Sequence, residues 1–139
     1  MIPSITEIKV RGYHLDLYGH VNNARYLEFL EEARWSFAEE SLDIDEWQRR
    51  GIAFSVVNIN INYRRSAFMG DILKIRTWVS KLGNASATIR QELVLKGEET
   101  PVADADVTFV MIDAKTNKPI PLTGDIRAAF AAGKNQTVD

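Results

Sequence analysis

The chain has 139 residues, no cysteine and a formal net charge of −2 at neutral pH. The missing cysteines exclude disulfides, thiol nucleophiles and cysteine-ligated metals, and they suit a reducing compartment. Because a nucleic-acid surface needs a basic bias, the slightly acidic balance argues against that class of partner.

The length fits a single domain, which we place at residues 1–132 and follow with a polar tail at residues 133–139. The first residues lack the apolar core of a signal peptide. No apolar run approaches the roughly 20 residues that a membrane span needs. We therefore expect a cytoplasmic protein.

The amino-terminal part predicts one strand and one long helix. The stretch "TEIKVRGYHL" alternates apolar and charged residues, as a strand does. After the loop "DLYGHVNN", residues 24–42 predict an amphipathic helix that begins at a cap formed by Asn22 or Asn23. Five apolar residues of this helix share one narrow arc: Tyr26, Phe29, Leu30, Ala33 and Phe37.

The rest of the chain predicts a sheet. A short helix, "DIDEWQRRG", ends at Gly51. Four strand-like stretches follow, "IAFSVVNININYRR", "ILKIRTWVSKL", "ASATIRQELVLKG" and "VADADVTFVMID", before a last helix capped by Thr123. Short turns favour antiparallel neighbours, and one apolar face per strand favours a sheet packed on one side. We predict an α+β fold in which an antiparallel sheet wraps around one long central helix.

A polar stripe runs along the first of these four strands, formed by Asn58, Asn60, Asn62 and Arg64. One interpretation is a solvated face of the sheet. The other is a face that meets a second subunit. The sequence leaves both open.

Several common chemistries lack their motifs. The chain has no G-x-S-x-G elbow, no Walker A loop and no G-x-G-x-x-G turn. His14 and His20 have no further residues at metal-ligand spacing. We therefore expect neither a metal nor an organic cofactor.

The run "RGYHLDLYGHVNNARY" raises one chemical possibility. The start of a helix offers unpaired backbone N–H groups and a partial positive charge, which can hold an oxyanion. If the loop folds back at Gly19, the Asp16 carboxylate approaches the same point and can attack an activated carbonyl or deprotonate a water. A thioester suits this arrangement, since its thiolate leaves with little acid assistance. The simpler alternatives are an Asx-type turn for Asp16, a loop histidine without chemistry at His20 and plain helix capping by the two asparagines.

The same run, extended to "YHLDLYGHVNNARYLEFLEEAR", resembles the D-x-x-G-H-V-N-N-x-x-Y signature of hotdog-fold acyl-CoA thioesterases in the 4-hydroxybenzoyl-CoA thioesterase branch. Together with "VVNININYRR", it is similar to the bacterial long-chain acyl-CoA thioesterases of that branch. The resemblance covers about residues 7–128. It implies the hotdog fold and hydrolysis of acyl-CoA to free fatty acid and coenzyme A.

The resemblance also implies roles for individual residues. Asp16 matches the catalytic carboxylate, as nucleophile or general base, and the backbone N–H of Asn23 matches the group that polarises the thioester carbonyl. Gly19 matches the glycine of the tight turn. The substrate-binding set is Gly19, His20, Asn22, Tyr26, Arg64 and Arg65. The two arginines end the long strand, where they either meet coenzyme A phosphates or are simply exposed basic residues.

The assembly and the substrate follow from the resemblance as well. It implies a homodimer, or a homotetramer built from two dimers, with the site formed across the dimer. The aryl-specific enzymes commonly have a different helix start, with aromatic residues near the positions of Asn22 and Asn23, and this difference favours a fatty acyl chain here. Coenzyme A and acyl-carrier protein both remain open as donor.

Two alternative functions stay open. A hotdog dehydratase would pair a histidine with a carboxylate, for which His20 and Glu28 are the candidates. A non-catalytic acyl-CoA-binding module would keep the pocket but would not need Asp16.

Overall fold

A computed structural model describes residues 3–134 of the chain. Five strands, three α-helices and one short 3₁₀ turn at Gly12–His14 account for most of this part. The strands and helices are β1 (Ser4–Lys9), α1 (Asn23–Ser41), α2 (Ile44–Arg49), β2 (Ile52–Tyr63), β3 (Ile72–Leu82), β4 (Ser86–Leu95), β5 (Pro101–Asp113) and α3 (Gly124–Ala132).

The five strands form one antiparallel sheet in the order β1-β3-β4-β5-β2. The five arc residues of α1 are all buried, and they pack with the inward residues of the sheet. Burying one apolar stripe against one apolar sheet face is what joins the two layers. The predicted α+β class and the antiparallel sheet with one long central helix are confirmed.

The first strand is shorter than predicted. β1 ends at Lys9, whereas the alternation had suggested a strand through Leu15. The chain turns because the Arg11 carbonyl accepts from the His14 N–H at 3.0 Å, while the Arg11 N–H donates to His14 Nδ1 at 2.9 Å. The turn buries the His14 ring edge-on against Phe29, with ring centroids 4.8 Å apart.

The order of the strands also differs from the prediction. β2 and β3 are not neighbours, since β2 pairs with β5 at the edge of the sheet. Residues 64–71 connect them and pass beside the start of α1, where the Ala67 N–H donates to Tyr26 Oη at 3.2 Å. Three strand spacings are only about 14 Å, and eight extended residues reach roughly 27 Å. A short connection therefore did not require adjacent strands.

The carboxyl-terminal boundary falls at the edge of the described part. The Gly133 carbonyl accepts from the Val79 N–H at 2.9 Å, so residue 133 packs on the sheet. The predicted polar tail beyond it lies, at residues 135–139, outside the described residues. Within residues 3–134, no helix combines the length and apolar composition of a membrane span.

A buried amide links α1 to the sheet at a position where the strand pattern predicted no particular residue. Gln91 and Thr77 are fully buried. Gln91 Nε2 donates to the Leu30 carbonyl at 2.9 Å and to Thr77 Oγ1 at 3.1 Å, and its Oε1 accepts from Arg34 Nη1 at 3.0 Å. The amide thus has a partner for each of its polar atoms, which is what makes its burial tolerable.

We expect Gln91→Leu to lower the free energy of unfolding by about 1–3 kcal/mol, because Thr77 Oγ1 and the Arg34 guanidinium each lose their hydrogen bond to Gln91. Chemical denaturation monitored by circular dichroism measures the change. Gln48→Leu, at an exposed helical position, is the matched control and should stay within about 0.5 kcal/mol of the native protein. Equal losses in both variants would contradict a special role for the buried amide.

Candidate active site

The loop before α1 folds back on itself at Gly19. The Asp16 N–H donates to the His20 carbonyl at 2.8 Å, and the Gly19 N–H donates to the Asp16 carbonyl at 3.1 Å. Gly19 has a φ of 78°, in the left-handed region that favours glycine. Leu15 and Val21 pair across the turn, so Asp16 lies close to the residues that begin the helix.

The Asp16 carboxylate stabilises this turn with one oxygen. Oδ1 accepts from the Tyr18 N–H at 2.8 Å and from the His20 N–H at 3.2 Å, which is the Asx-type turn named above as the simpler alternative. Oδ2 makes no hydrogen bond with any residue in 3–134. The carboxylate is therefore held in place by one oxygen while the other stays available.

The tip of α1 presents a free donor. Asn22 is the cap, since its Oδ1 accepts from the Ala24 N–H at 2.9 Å, and its own N–H donates to the His14 carbonyl at 2.9 Å. Between them, the Asn23 backbone N–H has no acceptor among the described residues. Because this group also lies at the positive end of a long helix, it can bind a developing negative charge.

Tyr26 and Tyr63 connect the tip to the end of β2. Tyr26 is buried, and its ring centroid lies 5.5 Å from that of Tyr63. Tyr63 Oη donates to the Asn23 carbonyl at 3.2 Å. Burial raises the pKa of Tyr26 above its usual range, so this phenol stays protonated near neutral pH.

His20 faces the connection between β2 and β3. Its Nδ1 lies 3.3 Å from Ser66 Oγ, and its ring stands edge-on to Phe68 with centroids 5.0 Å apart. Glu28, its conceivable partner in a dehydratase, instead pairs with Arg25 at 2.8 Å. Within the described chain, no hydrogen bond joins the two members of such a dyad.

The two arginines after β2 differ in their partners. Arg64 Nε donates to Asp104 Oδ2 at 2.8 Å, and this pairing raises the pKa of Arg64 and lowers that of Asp104. The exposed Arg65 side chain has no ion-pair partner among residues 3–134. Arg65 is therefore the freer of the two to meet a phosphate.

Burial of His14 beside the start of α1 makes the stability of the protein depend on pH. Burial is the main cause that lowers the pKa of His14, and the charge of Arg25 lowers it further. As the pH falls, His14 is therefore protonated at a higher pH in the unfolded chain than in the folded protein. Its contribution to the free energy of unfolding is complete above about pH 6.5 and is lost as the pH falls through the pKa of the folded state. We expect the free energy of unfolding of the native protein to decrease more steeply from pH 7 to 5 than that of His14→Gln. Parallel pH profiles of the two proteins in denaturant titrations would contradict this.

A cavity of about 460 Å³ lies away from the helix tip, between the second half of α1, α2 and the first half of β2. Its lining is mostly apolar, and its aromatic residues are Trp35, Phe37, Trp47, Phe54, Phe109 and Phe130. Its size lies in the usual range of small-molecule sites. Sequence analysis missed it because its walls come from separate elements, although the position of Trp35 off the apolar stripe of α1 was a partial signal.

The outer edge of β2 is long and partly apolar. Val56, Val57 and Ile59 are 42%, 56% and 40% exposed, and the register with β5 shifts at Val57. Asn58 and Asn60 are exposed on the same strand, and Asn62 donates to Asp104 Oδ1 at 3.3 Å. An open edge of this kind is a template for pairing with another strand.

Across residues 3–134, no three histidine, aspartate or glutamate side chains converge as a ligand set. Of the two ring nitrogens of His14, Nδ1 is occupied, since it accepts from the Arg11 N–H. The expectation of a metal-free site remains a prediction.

The family model of the thioesterase-like superfamily matches residues 10–130. The long-chain acyl-CoA thioesterase FadM of Escherichia coli is 54% identical over 122 residues, which cover 88% of this chain and 92% of FadM. The acyl-CoA thioesterase YbgC of Haemophilus influenzae is 31% identical over 129 residues, covering 87% and 90%. The crystal structure of the "probable thioesterase" YbaW of Escherichia coli matches with a TM-score of 0.86 at 52% identity, covering 94% of this chain and 98% of that one.

Proposed function

The chain belongs to the thioesterase-like superfamily and is a thioester hydrolase of the hotdog fold, and from this premise we propose that it hydrolyses long-chain fatty acyl-CoA to free fatty acid and coenzyme A. The observation that carries the proposal is the pair of free groups at one loop–helix junction, Asp16 Oδ2 and the Asn23 N–H. The long-chain preference is supported by the similarity to FadM.

In this proposal the thioester carbonyl oxygen accepts a hydrogen bond from the Asn23 N–H. This hydrogen bond strengthens as negative charge develops on that oxygen. Asp16 Oδ2 then attacks the carbonyl carbon, giving a mixed anhydride that water hydrolyses, or it takes a proton from the attacking water. In both cases the C–S bond breaks and coenzyme A leaves as thiolate. The turn bonds to Oδ1 hold the carboxylate in position for either role.

The remaining matched residues surround these two groups. Gly19 and Asn22 shape the turn and the cap. We assign His20 and Tyr26 to the walls of the substrate space. We assign Arg65 to the coenzyme A phosphates. Arg64 forms its ion pair with Asp104 at the end of β2 and adds positive charge beside Arg65.

We propose a homodimer in which the outer edges of two β2 strands pair antiparallel. The exposed apolar residues Val56, Val57 and Ile59 support this, since an unprotected edge of this length favours association. A two-fold axis gives both subunits the same contact. The asparagine stripe then extends from the centre of the contact towards its ends, and two dimers can associate further into a tetramer.

The proposed pairing joins each helix tip to the cavity of the other subunit. Ile52 lines the cavity and Tyr63 touches the helix tip, yet within one strand they are about 36 Å apart. An axis through the middle of residues 55–60 places Tyr63 of one strand beside Ile52 of the other, at the strand spacing of about 4.8 Å. The acyl chain of one site would thus enter the cavity of the partner.

Thiol release tests the proposed function. The purified protein is given palmitoyl-CoA and shorter acyl-CoAs with a thiol-reactive dye, and we expect release that rises about fourfold in kcat/KM for each methylene that the cavity buries. An absence of release from every acyl-CoA and acyl-carrier thioester would overturn the proposal. Hydration of an enoyl-CoA would instead support the dehydratase reading. The cytoplasmic location stays a prediction.

A further inference from the structure

One cation lies in the wall of the largely apolar cavity. Arg34 is half-buried on α1, and its guanidinium carbon lies 5.8 Å from the centroid of the Phe109 ring. Its Nη1 donates to Oε1 of the fully buried Gln91 at 3.0 Å. Because Gln91 is itself held by α1 and β3, the guanidinium has a fixed position.

The other nitrogens of Arg34 are unoccupied. No carboxylate within residues 3–134 forms an ion pair with Arg34, and only Nη1 donates a hydrogen bond. The free nitrogens are not sealed inside the protein, and Arg34 contributes to the lining of the cavity. Glu31, which also lines the cavity, accepts from Trp35 Nε1 at 3.2 Å and lies outside ion-pair distance of Arg34.

A plain hydrocarbon chain is a poor match for such a wall. It would displace the water that hydrates the guanidinium and would return no hydrogen bond. A chain that carries a carboxylate or hydroxyl oxygen at this depth can accept the hydrogen bonds that the guanidinium otherwise donates to water. A carboxylate adds the attraction between opposite charges. Most of the remaining lining is apolar, so the rest of the chain still packs favourably.

We propose that Arg34 is a specificity-determining residue that selects acyl chains bearing an oxygen acceptor in their distal half, a terminal carboxylate above all. This inference rests on the proposed function, since it requires the acyl chain to enter the cavity. The oxygen is placed in the distal half because the thioester carbonyl stays at a helix tip, whereas Arg34 lies in the wall of the cavity that the far end of the chain enters.

The test compares chains of equal length. The kcat/KM of the native protein is measured with dodecanoyl-CoA, 12-hydroxydodecanoyl-CoA and the monothioester of dodecanedioic acid, and again at 8 and 16 carbons to locate the favoured depth. We expect the terminal carboxylate to be favoured over the plain chain at one of these lengths by about 10-fold to 100-fold, the usual effect of a hydrogen bond to a charged group. No preference at any length would overturn the proposal.

Arg34→Met should abolish this ratio, and Arg34→Lys, which keeps the charge, should retain part of it. The ratio is independent of the folded fraction, so partial unfolding of a variant does not obscure it. Arg49→Met removes an exposed arginine of α2 outside the cavity and should leave the ratio unchanged. A preference that persists in Arg34→Met would overturn the proposal. So would dissociation of that variant into monomers in sedimentation velocity, which would make Arg34 an interface residue.

Binding measurements distinguish failure of the Arg34 proposal from failure of the proposed thioesterase function. Asp16→Asn protein is titrated with the same thioesters, and the fluorescence of Trp35 and Trp47 in the cavity wall reports occupancy. If the native protein hydrolyses no thioester but the dissociation constants of Asp16→Asn still favour the terminal carboxylate, the proposed function fails and the Arg34 proposal holds. If hydrolysis occurs but the dissociation constants are equal, only the Arg34 proposal fails.

Discussion

Replacing Asp16 with asparagine is expected to lower thiol release from palmitoyl-CoA by about 10²–10⁴-fold, the usual contribution of a positioned acid or base. The amide keeps an oxygen for the Tyr18 and His20 N–H groups, so the turn survives the change. It removes the free carboxylate oxygen, which is the group that attacks or takes the proton. The rates are followed with a thiol-reactive dye, and substrate binding by tryptophan fluorescence should persist.

A second aspartate provides the control for this substitution. Asp113 also closes a turn, with Oδ1 accepting from the Lys115 and Thr116 N–H groups at 2.8 and 3.1 Å. Asp113→Asn should therefore retain the native rate while matching the chemical change. Thiol release by Asp16→Asn that equals the release by Asp113→Asn would remove Asp16 from the mechanism.

Mixed dimers should restore an activity that neither parent has. Ala38→Phe fills the cavity from α1 and is expected to lower kcat/KM for palmitoyl-CoA by about 10²-fold or more, because each excluded methylene costs about 0.8 kcal/mol. In a heterodimer of Asp16→Asn with Ala38→Phe, one intact Asp16 faces the open cavity of the other subunit. Two differently tagged chains are co-expressed and the heterodimer is purified through both tags.

With one of two sites productive in a two-fold dimer, the heterodimer should show about half the native rate. If each site instead used the cavity of its own subunit, the heterodimer would stay as inactive on palmitoyl-CoA as its parents, and the pairing proposed for β2 would fail. Ala128→Leu, at an exposed position of α3, adds bulk outside the cavity and should keep the native rate.

Periodicity was sufficient to predict most of the elements. α1 and β3 lie within one residue of their predicted bounds, because a regular apolar repeat marks which backbone positions face the core. The pattern did not predict the end of β1. There the chain turns through hydrogen bonds between Arg11 and His14, which alternation of apolar residues does not encode.

The site was predictable only where it is contiguous. The turn at Gly19 and the cap at Asn22 involve residues a few positions apart, so the quoted run contains all of their partners. The edge position of β2 and the fixed guanidinium of Arg34 depend on strand order and on Gln91, far away in the chain. Spacing alone carries no information about such long-range contacts.

The strand order has a consequence for how the chain folds. β3, β4 and β5 pair with their neighbours in sequence, whereas β1 and β2 must each find a partner dozens of residues away. Contacts between nearby residues close small loops and form early, while distant ones cost more entropy. The three-strand meander is thus the natural nucleus. The two flanking strands join it late, and the edge that completes the sheet is among the last parts to become ordered.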